Sequence, residues 1–168
     1  MEISTEMIKE LRDKSGAGIM DCRNTLVGCE GDMDKALEVL REKGLLKAQK
    51  KAERETSQGL IGVYVHTGGR IGAMVEVNCE TDFVARTNEF QELAHCLAMQ
   101  IAAMNPKYIS EEEVAEADED LDPQADCLLL QPYIKDPTRN VQDLIIETVA
   151  KVGENIKISR FARFELGS

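Results

Sequence analysis

Val77-Asn78-Cys79-Glu80-Thr81-Asp82-Phe83-Val84-Ala85-Arg86 lies where one hydrophobic period gives way to another. Upstream, Ile71, Ala73, Val75 and Val77 alternate with Gly72, Met74, Glu76 and Asn78, the period of two of a strand with one apolar face. Downstream, Phe90, Leu93, Ala94, Leu97, Ala98, Ile101 and Ala102 recur at steps of three and four, which predicts one helix over residues 89–104. Asn88, with Gln91 three residues on, is expected to cap that helix by a box-like exchange of bonds. Residues 81–84 are therefore the corner between sheet and helix. Phe83 belongs to neither repeat, in a chain with only 4% aromatic residues, so it needs its own explanation. On residue chemistry alone the commoner arrangement is a core plug, with Asp82 capping a turn. The alternative is an apolar wedge held out for a partner, with Asp82 bonding beside it, because aromatic anchors dominate interface energies.

Working outward, Ile61, Val63 and Val65 alternate with Leu60, Gly62, Tyr64 and His66, and Thr67-Gly68-Gly69-Arg70 supplies a glycine-rich turn. Residues 59–78 thus read as a hairpin. Toward the N-terminus, residues 1–54 read as a small helical module. Ser4 caps a first helix, with Ile3 and Ile8 as a hydrophobic staple and Met7, Ile8 and Leu11 facing inward. Ser15-Gly16-Ala17-Gly18 breaks it. A second helix carries Ile19, Cys22 and Leu26 and stops near Gly28. Asp32 caps a third, with Met33, Ala36, Leu37 and Leu40 inward and Gly44 expected to end it. The charged stretch 45–58 reads as a solvated helical linker. Three short helices in this span resemble a ubiquitin-associated fold, which carries no inference of ubiquitin binding.

On the C-terminal side, eight acids within residues 111–122 suggest a solvated or mobile segment. Cys127-Leu128-Leu129-Leu130 requires cover, and Pro132 and Pro137 predict an irregular stretch. Residues 141–152 return to a helical period, with Gly153 as a stop. A final strand alternates Ile156, Ile158, Ala162, Phe164 and Leu166 with Lys157, Ser159, Phe161, Arg163 and Glu165, and Arg160 interrupts its apolar face. The fold class expected is α+β: a three-helix module over residues 1–54, then a core over 55–168 with a three-stranded antiparallel sheet packed by helices.

A formal charge of −11 argues against nucleic acid as the main partner. No apolar run reaches the 18 or so residues of a membrane span, and Met1-Glu2-Ile3-Ser4 lacks a signal-peptide pattern. The five cysteines are widely spaced with no C-x-x-C, which points to reduced thiols rather than disulfides or zinc. No cofactor is expected, and a cytoplasmic protein is. Gly16-Ala17-Gly18 lacks the preceding strand and the Gly-Lys-Ser/Thr ending of a phosphate loop and reads as a tight turn. An enzyme would have to use Cys79 or Cys96 with His66 or His95, yet His95 and Cys96 are neighbours on one helix and diverge.

The stretch from Asn78 to Arg86 resembles the signature of the elongation factor Ts family. Leu11-Arg12-Asp13-Lys14-Ser15-Gly16-Ala17-Gly18-Ile19-Met20-Asp21-Cys22 is similar to that family's N-terminal motif, and Val149-Ala150-Lys151-Val152-Gly153-Glu154-Asn155-Ile156 to its C-terminal one. The three occur in the family's order, on either side of residues 106–140. The resemblance implies a nucleotide exchange factor, not an enzyme, whose partner is elongation factor Tu in its GDP-bound and nucleotide-free states. It implies that Phe83 inserts between helices of that GTPase, that Asp82 bonds beside it, and that Thr81 and Val84 keep the corner rigid. Arg12, Ile19, Met20 and Arg23 match positions at or near the N-terminal contact, with Ile19 where relatives often have methionine.

Many members of the family have two related core halves, whereas residues 105–140 are too few for a second one here. The resemblance therefore implies a short, single-core member, and short members act as homodimers with sheets packed face to face. Phe161 and Tyr64 are expected to be exposed and to favour that association. A ubiquitin- or nascent-chain adaptor is the competing binding reading; it leaves residues 81–86 without a task.

Overall fold

The computed structural model describes residues 3–114 and 120–168. It is α+β, and its Cα trace divides into two compact units: Met1–Arg54 with Ile146–Asn155, and Glu55–Ile145 with Ile156–Ser168.

In the first unit, α1 (Thr5–Ser15) starts where the Ser4 side chain accepts the Met7 N–H at 3.2 Å. It ends at Gly16, whose left-handed φ of 67° brings its N–H to the Arg12 carbonyl at 2.7 Å. α2 (Ile19–Gly28) and α3 (Met33–Lys51) follow, the latter capped by Asp32, which accepts the Lys35 N–H. Leu11, Cys22, Leu26, Ala36 and Leu40 form the core, and Ile3, Met7, Ile8, Met33 and Leu37 pack around it.

α2 buries Cys22, Thr25 and Leu26, and Ile19 faces solvent. One sequence expectation changes here. Gly44 does not end α3; it is buried mid-helix, and a Cβ there would meet Ile146 Cγ2 at an ordinary 3.9 Å. A glycine costs a helix about 1 kcal/mol, and the good formers around it, Lys43, Leu45, Leu46 and Lys47, outweigh that. α3 instead stops at Lys51. The Asn155 amide donates to the carbonyls of Ala52 and Arg54 at 3.2 and 2.8 Å, and Lys51 Nζ donates to the Gly153 carbonyl at 2.9 Å. The charged linker is therefore helical only as far as Lys51.

The second unit runs β1 (Gln58–Val65), β2 (Ile71–Cys79), a single-turn helix α4 (Asp82–Ala85), α5 (Asn88–Met104), a short α6 (Pro123–Asp126), β3 (Pro132–Tyr133) and β4 (Asp136–Asn140). α7 (Val141–Val152) begins in this unit and ends in the first, and β5 (Lys157–Glu165) closes the chain. The main sheet is antiparallel in the order β1-β2-β5. α5 covers one face, burying Phe90, Leu93, Ala94, Leu97, Ala98 and Ile101 against Ala73, Val75 and Val77. Contact is tightest at Gly62, where a Cβ would sit 2.4 Å from the Ala94 carbonyl oxygen.

The opposite sheet face is open. Ile61, Val63, Val65, Met74 and Phe164 are each about half exposed or more, and the pairs Val63–Met74, Met74–Ala162 and Gly72–Phe164 place them side by side. The expected single apolar face of β5 does not form, because the register shifts between Glu76 and Val77. Val77 pairs with Ile158 and Glu76 with Arg160, so Ser159 is the extra residue of a bulge and the phase inverts across it. Ile158 is on the helix-covered side, whereas Ala162 and Phe164 are on the open one. Phe161 and Tyr64 are accordingly half-buried rather than exposed.

Residues 127–140 are more regular than the prolines suggest, since β3 and β4 pair. Gln100 and Gln131, both fully buried, anchor the stretch. Gln100 Nε2 donates to Gln131 Oε1 and the Pro132 carbonyl, its Oε1 accepts the Ile134 N–H, and Gln131 Nε2 donates to the Ala125 carbonyl. Cys127 and Leu128 find their cover there. The acidic run is described at residues 111–114 and 120–122, where Glu111, Glu112 and Glu113 form an exposed 3-10 turn; the rest of it, residues 115–119, lies outside the described residues. Among the described residues no helix is long and apolar enough to cross a membrane.

Gly62→Ala is expected to destabilise the protein by about 2–3 kcal/mol, because a rigid backbone oxygen occupies the methyl's place. Gly28→Ala, at the end of α2 where nothing lies within 4 Å, should be neutral or slightly stabilising; urea unfolding compares the two. Acid is the second probe. Backbone donation from Lys35 holds the Asp32 carboxyl below its ordinary range, Arg160 does the same for Glu76, and Thr138 for Asp136. Each favours the folded state above the unfolded carboxyl pKa of roughly 4 and loses that effect as pH falls through its lower folded value. The urea midpoint should hold to about pH 5 and decline below about pH 4.

Candidate functional site

The corner between β2 and α5 is built from short bonds at both ends. At its start Cys79, fully buried, donates its thiol to the Thr81 carbonyl at 3.1 Å. That carbonyl also accepts the Ala85 N–H at 3.3 Å, and the Thr81 hydroxyl caps α4 by accepting the Val84 N–H at 3.4 Å. At its end the Val84 carbonyl accepts both the N–H and the hydroxyl of Thr87, at 3.0 and 2.7 Å. The same hydroxyl accepts the Phe90 N–H at 3.3 Å and so caps α5.

Thr87, not Asn88, is the N-cap of α5, and Asn88 is its first residue. Both are good capping types, and Asn88 has the Gln91 of a capping box three residues on. A bond only the fold reveals decides between them: at position 87 a hydroxyl reaches the Val84 carbonyl as well as the Phe90 amide. Gln91 Nε2 instead reaches back to the Arg86 carbonyl at 3.4 Å.

On this fixed turn Phe83 is 78% exposed, while Ala85, two residues on, is buried. Asp82 is held by Arg86 at 2.8 Å, an i,i+4 pair with both partners largely in solvent, worth at most about 1 kcal/mol. Thr81 is exposed, and Asp82 and Val84 are half-exposed. The four residues singled out in the sequence thus form one surface around an outward ring, and the core-plug arrangement is not the one adopted.

A second surface lies in the helical unit. Arg12 on α1 and Ile19, Met20 and Arg23 on α2 are exposed, with Ile19 and Met20 at 54% and 60%. Val27, 58% exposed, extends the α2 stripe at the i,i+4,i+8 spacing of Ile19 and Arg23. Asp21, beside the stripe, is tied to Lys47 of α3 at 3.3 Å.

None of the five cysteines is in a disulfide, and only Cys29 is not buried. Burial pushes the Cys127 thiol up from its ordinary value. Cys96 lies beside the buried phenol of Tyr133, whose pKa burial also raises strongly, and Lys135 Nζ donates to Cys96 Sγ at 3.7 Å. His66 hydrogen-bonds the Tyr64 hydroxyl, and His95 meets the Tyr64 ring edge-on. Neither histidine is drawn into a base-to-thiol contact by these bonds. Among the described residues no cluster of His, Cys, Asp and Glu has the makings of a metal site.

Comparison with known proteins gives a consistent picture. The family model described as Elongation factor TS matches residues 9–120. Elongation factor Ts of Thermoanaerobacter sp. (strain X514) is 50% identical over 194 residues, covering 98% of this chain and 95% of that protein. Elongation factor Ts of Syntrophomonas wolfei is 49% identical, covering 98% and 91%. That of Thermotoga maritima is 48% identical, covering 99% and 98%. An alignment of 194 residues exceeds this chain's 168, so these relatives carry residues that it lacks.

Proposed function

The chain belongs to the elongation factor Ts family, and on that premise we propose how its two surfaces carry out guanine-nucleotide exchange on elongation factor Tu. The protein is an exchange factor of translation elongation that binds elongation factor Tu and promotes release of its GDP. The thermodynamics are those of linkage: a partner that weakens GDP binding is itself weakened by GDP to the same degree. The factor therefore binds the nucleotide-free GTPase tightly, gives way to incoming nucleotide, and needs no phosphate loop or chemical step of its own.

In our reading Phe83 is the working part. Its ring enters between helices of the GTPase domain, Asp82 bonds beside it, and Thr81 and Val84 keep the turn stiff. The displaced elements are those that hold magnesium and the phosphates, so the nucleotide's charge is left poorly neutralised and GDP departs. Arg12, Ile19, Met20 and Arg23 dock the helical module of residues 1–54 on the same partner, and two tethered contacts bind with avidity. The single observation that carries this reading is the 78% exposure of Phe83 on a turn whose backbone is bonded at both ends.

Residues 55–168 form the core that bears the wedge, and the open face of its sheet is the homodimer surface. Ile61, Val63, Val65, Met74 and Phe164 make a contiguous apolar patch, and such patches mark association sites. Two copies packed about a two-fold axis bury it. The factor works in the cytoplasm, without nucleic acid or membrane as a direct partner.

Phe83→Ala should slow catalysed GDP release by roughly 30- to 1000-fold, the effect of losing about 2–4 kcal/mol at an interface anchor. Because the ring is exposed, the variant's stability should change by no more than about 0.5 kcal/mol. Stopped-flow release of a fluorescent GDP from the cognate GTPase, paired with thermal melting, measures both; a rate equal to wild type removes the wedge. Light scattering after gel filtration should give a dimer mass for the wild type and a monomer mass for Val63→Lys. A monomeric wild type at micromolar concentration removes the dimer.

A further inference from the structure

We propose that Thr87, outside the four-residue wedge itself, is a positioning residue for exchange: its one hydroxyl locks the Phe83 turn to the long helix behind it. The inference rests on the wedge reading and deepens it. α4 is four residues long, far too short to hold its shape by helix formation alone, because one turn fixes several dihedrals for a single bond. Its geometry is therefore set by what grips its ends.

The leading end is gripped by the sheet, through Cys79 and Thr81. The trailing end is gripped through Thr87. There the hydroxyl donates to the Val84 carbonyl at 2.7 Å and accepts the Phe90 N–H at 3.3 Å. Phe90 is fully buried beneath α5 and anchors the N-terminus of that helix in the core. The chain of contact thus runs from a fixed core residue, through one oxygen atom, to the carbonyl of the residue after Phe83. No apolar isostere can both donate and accept there, and a serine can.

Loss of this bond leaves the ring present and exposed but frees the turn that carries it. The helical module still docks, so the encounter with the GTPase persists, and the step that drives the ring into the partner is the one that slows. An interaction used at that step alone appears in kcat and not in KM.

The experiment compares wild type, Thr87→Val, Thr87→Ser, Phe83→Ala and Asp32→Ala in steady-state GDP release from the cognate GTPase, with melting temperature measured for each. Asp32→Ala removes the cap of α3, far from the corner in sequence, and reports what cap loss alone does to the assay. Thr87→Val should lower kcat about five- to tenfold, the effect of one hydrogen bond of ordinary strength. KM should stay within about twofold, Thr87→Ser should restore the rate, and Asp32→Ala should exchange at the wild-type rate. Should Thr87→Val fail to fold, Thr87→Gly takes its place, since glycine is tolerated as a cap at a small fraction of the cost; the same loss of kcat is expected. A full-rate Thr87→Val or Thr87→Gly overturns the inference. So does a loss that serine does not restore, or one that Asp32→Ala shares. A slow Phe83→Ala with a full-rate Thr87→Val defeats only this inference, whereas a full-rate Phe83→Ala defeats the wedge and this inference together.

Discussion

The contact on which the rest of the core depends is between two backbones. At Gly62, β1 approaches α5 so closely that a single methyl would stand 2.4 Å from the Ala94 carbonyl oxygen. Gly62 pairs with Val75 of β2, so this approach also sets how deeply Val75 and Val77 are pressed under the helix. A strand and a helix held this close leave little slack in the chain that joins them. Between Cys79 and Asn88 only eight residues must turn from the sheet into the helix, and they do so through one helical turn with a cap at each side. The exposure of Phe83 follows from that geometry. Ala85 takes the inward position of the turn, and the ring two residues earlier is directed outward.

The open sheet face has a different origin. A three-stranded sheet covered by one helix has an uncovered side, and the chain fills it with Ile61, Val63, Val65, Met74 and Phe164 rather than with charges. The bulge at Ser159 is what brings Phe164 there. Without it the β5 phase would carry Ala162 and Phe164 to the same side as Ile158, under α5, and would set Phe161 and Arg163 on the open side instead. The same shift sets Arg160 opposite Glu76, where the two form a 2.8 Å ion pair on the open side. The residue that looks like a break in the apolar pattern of the last strand is thus where the pattern changes sides.

Much of this was legible in the sequence because it rests on local periodicity. The two-residue period of β2, the three-and-four spacing of α5 and the caps Ser4 and Asp32 each have one physical solution, and the fold adopts it. The departures share a cause: each depends on something distant in the chain. Gly44 reads as a stop from its neighbours, but a helix continues through a glycine when good helix formers flank it on both sides. Asn88 and Thr87 are equal as caps until the Val84 carbonyl comes within reach of one of them. The bulge at Ser159 is invisible without the register of β2. Phe83 was open between plug and wedge because residue type alone does not say which side of a turn faces the core. Resemblance to a family tipped that choice, and the 78% exposure of its ring supports the same side on independent grounds.

An exposed phenylalanine is a poor investment for a monomer unless its orientation is fixed. A ring on a flexible loop would fold back over nearby apolar surface, and ordering it on binding would cost about 0.5–1.5 kcal/mol for the side chain alone, with the backbone of the loop added to that. A ring on a turn bonded at both ends has already lost the backbone part of that freedom in the free protein. On the wedge reading proposed above, its insertion energy then works against the partner's hold on magnesium and phosphate. On the reading proposed above, the α2 surface, with Arg23 and the exposed Ile19 and Met20, is the docking contact that keeps the partner near. The α4 surface is small and apolar at its tip, and on the same reading it is the contact that competes with nucleotide. On that reading at least one of the two contacts must be sensitive to nucleotide, since equal affinity for both states shifts no equilibrium.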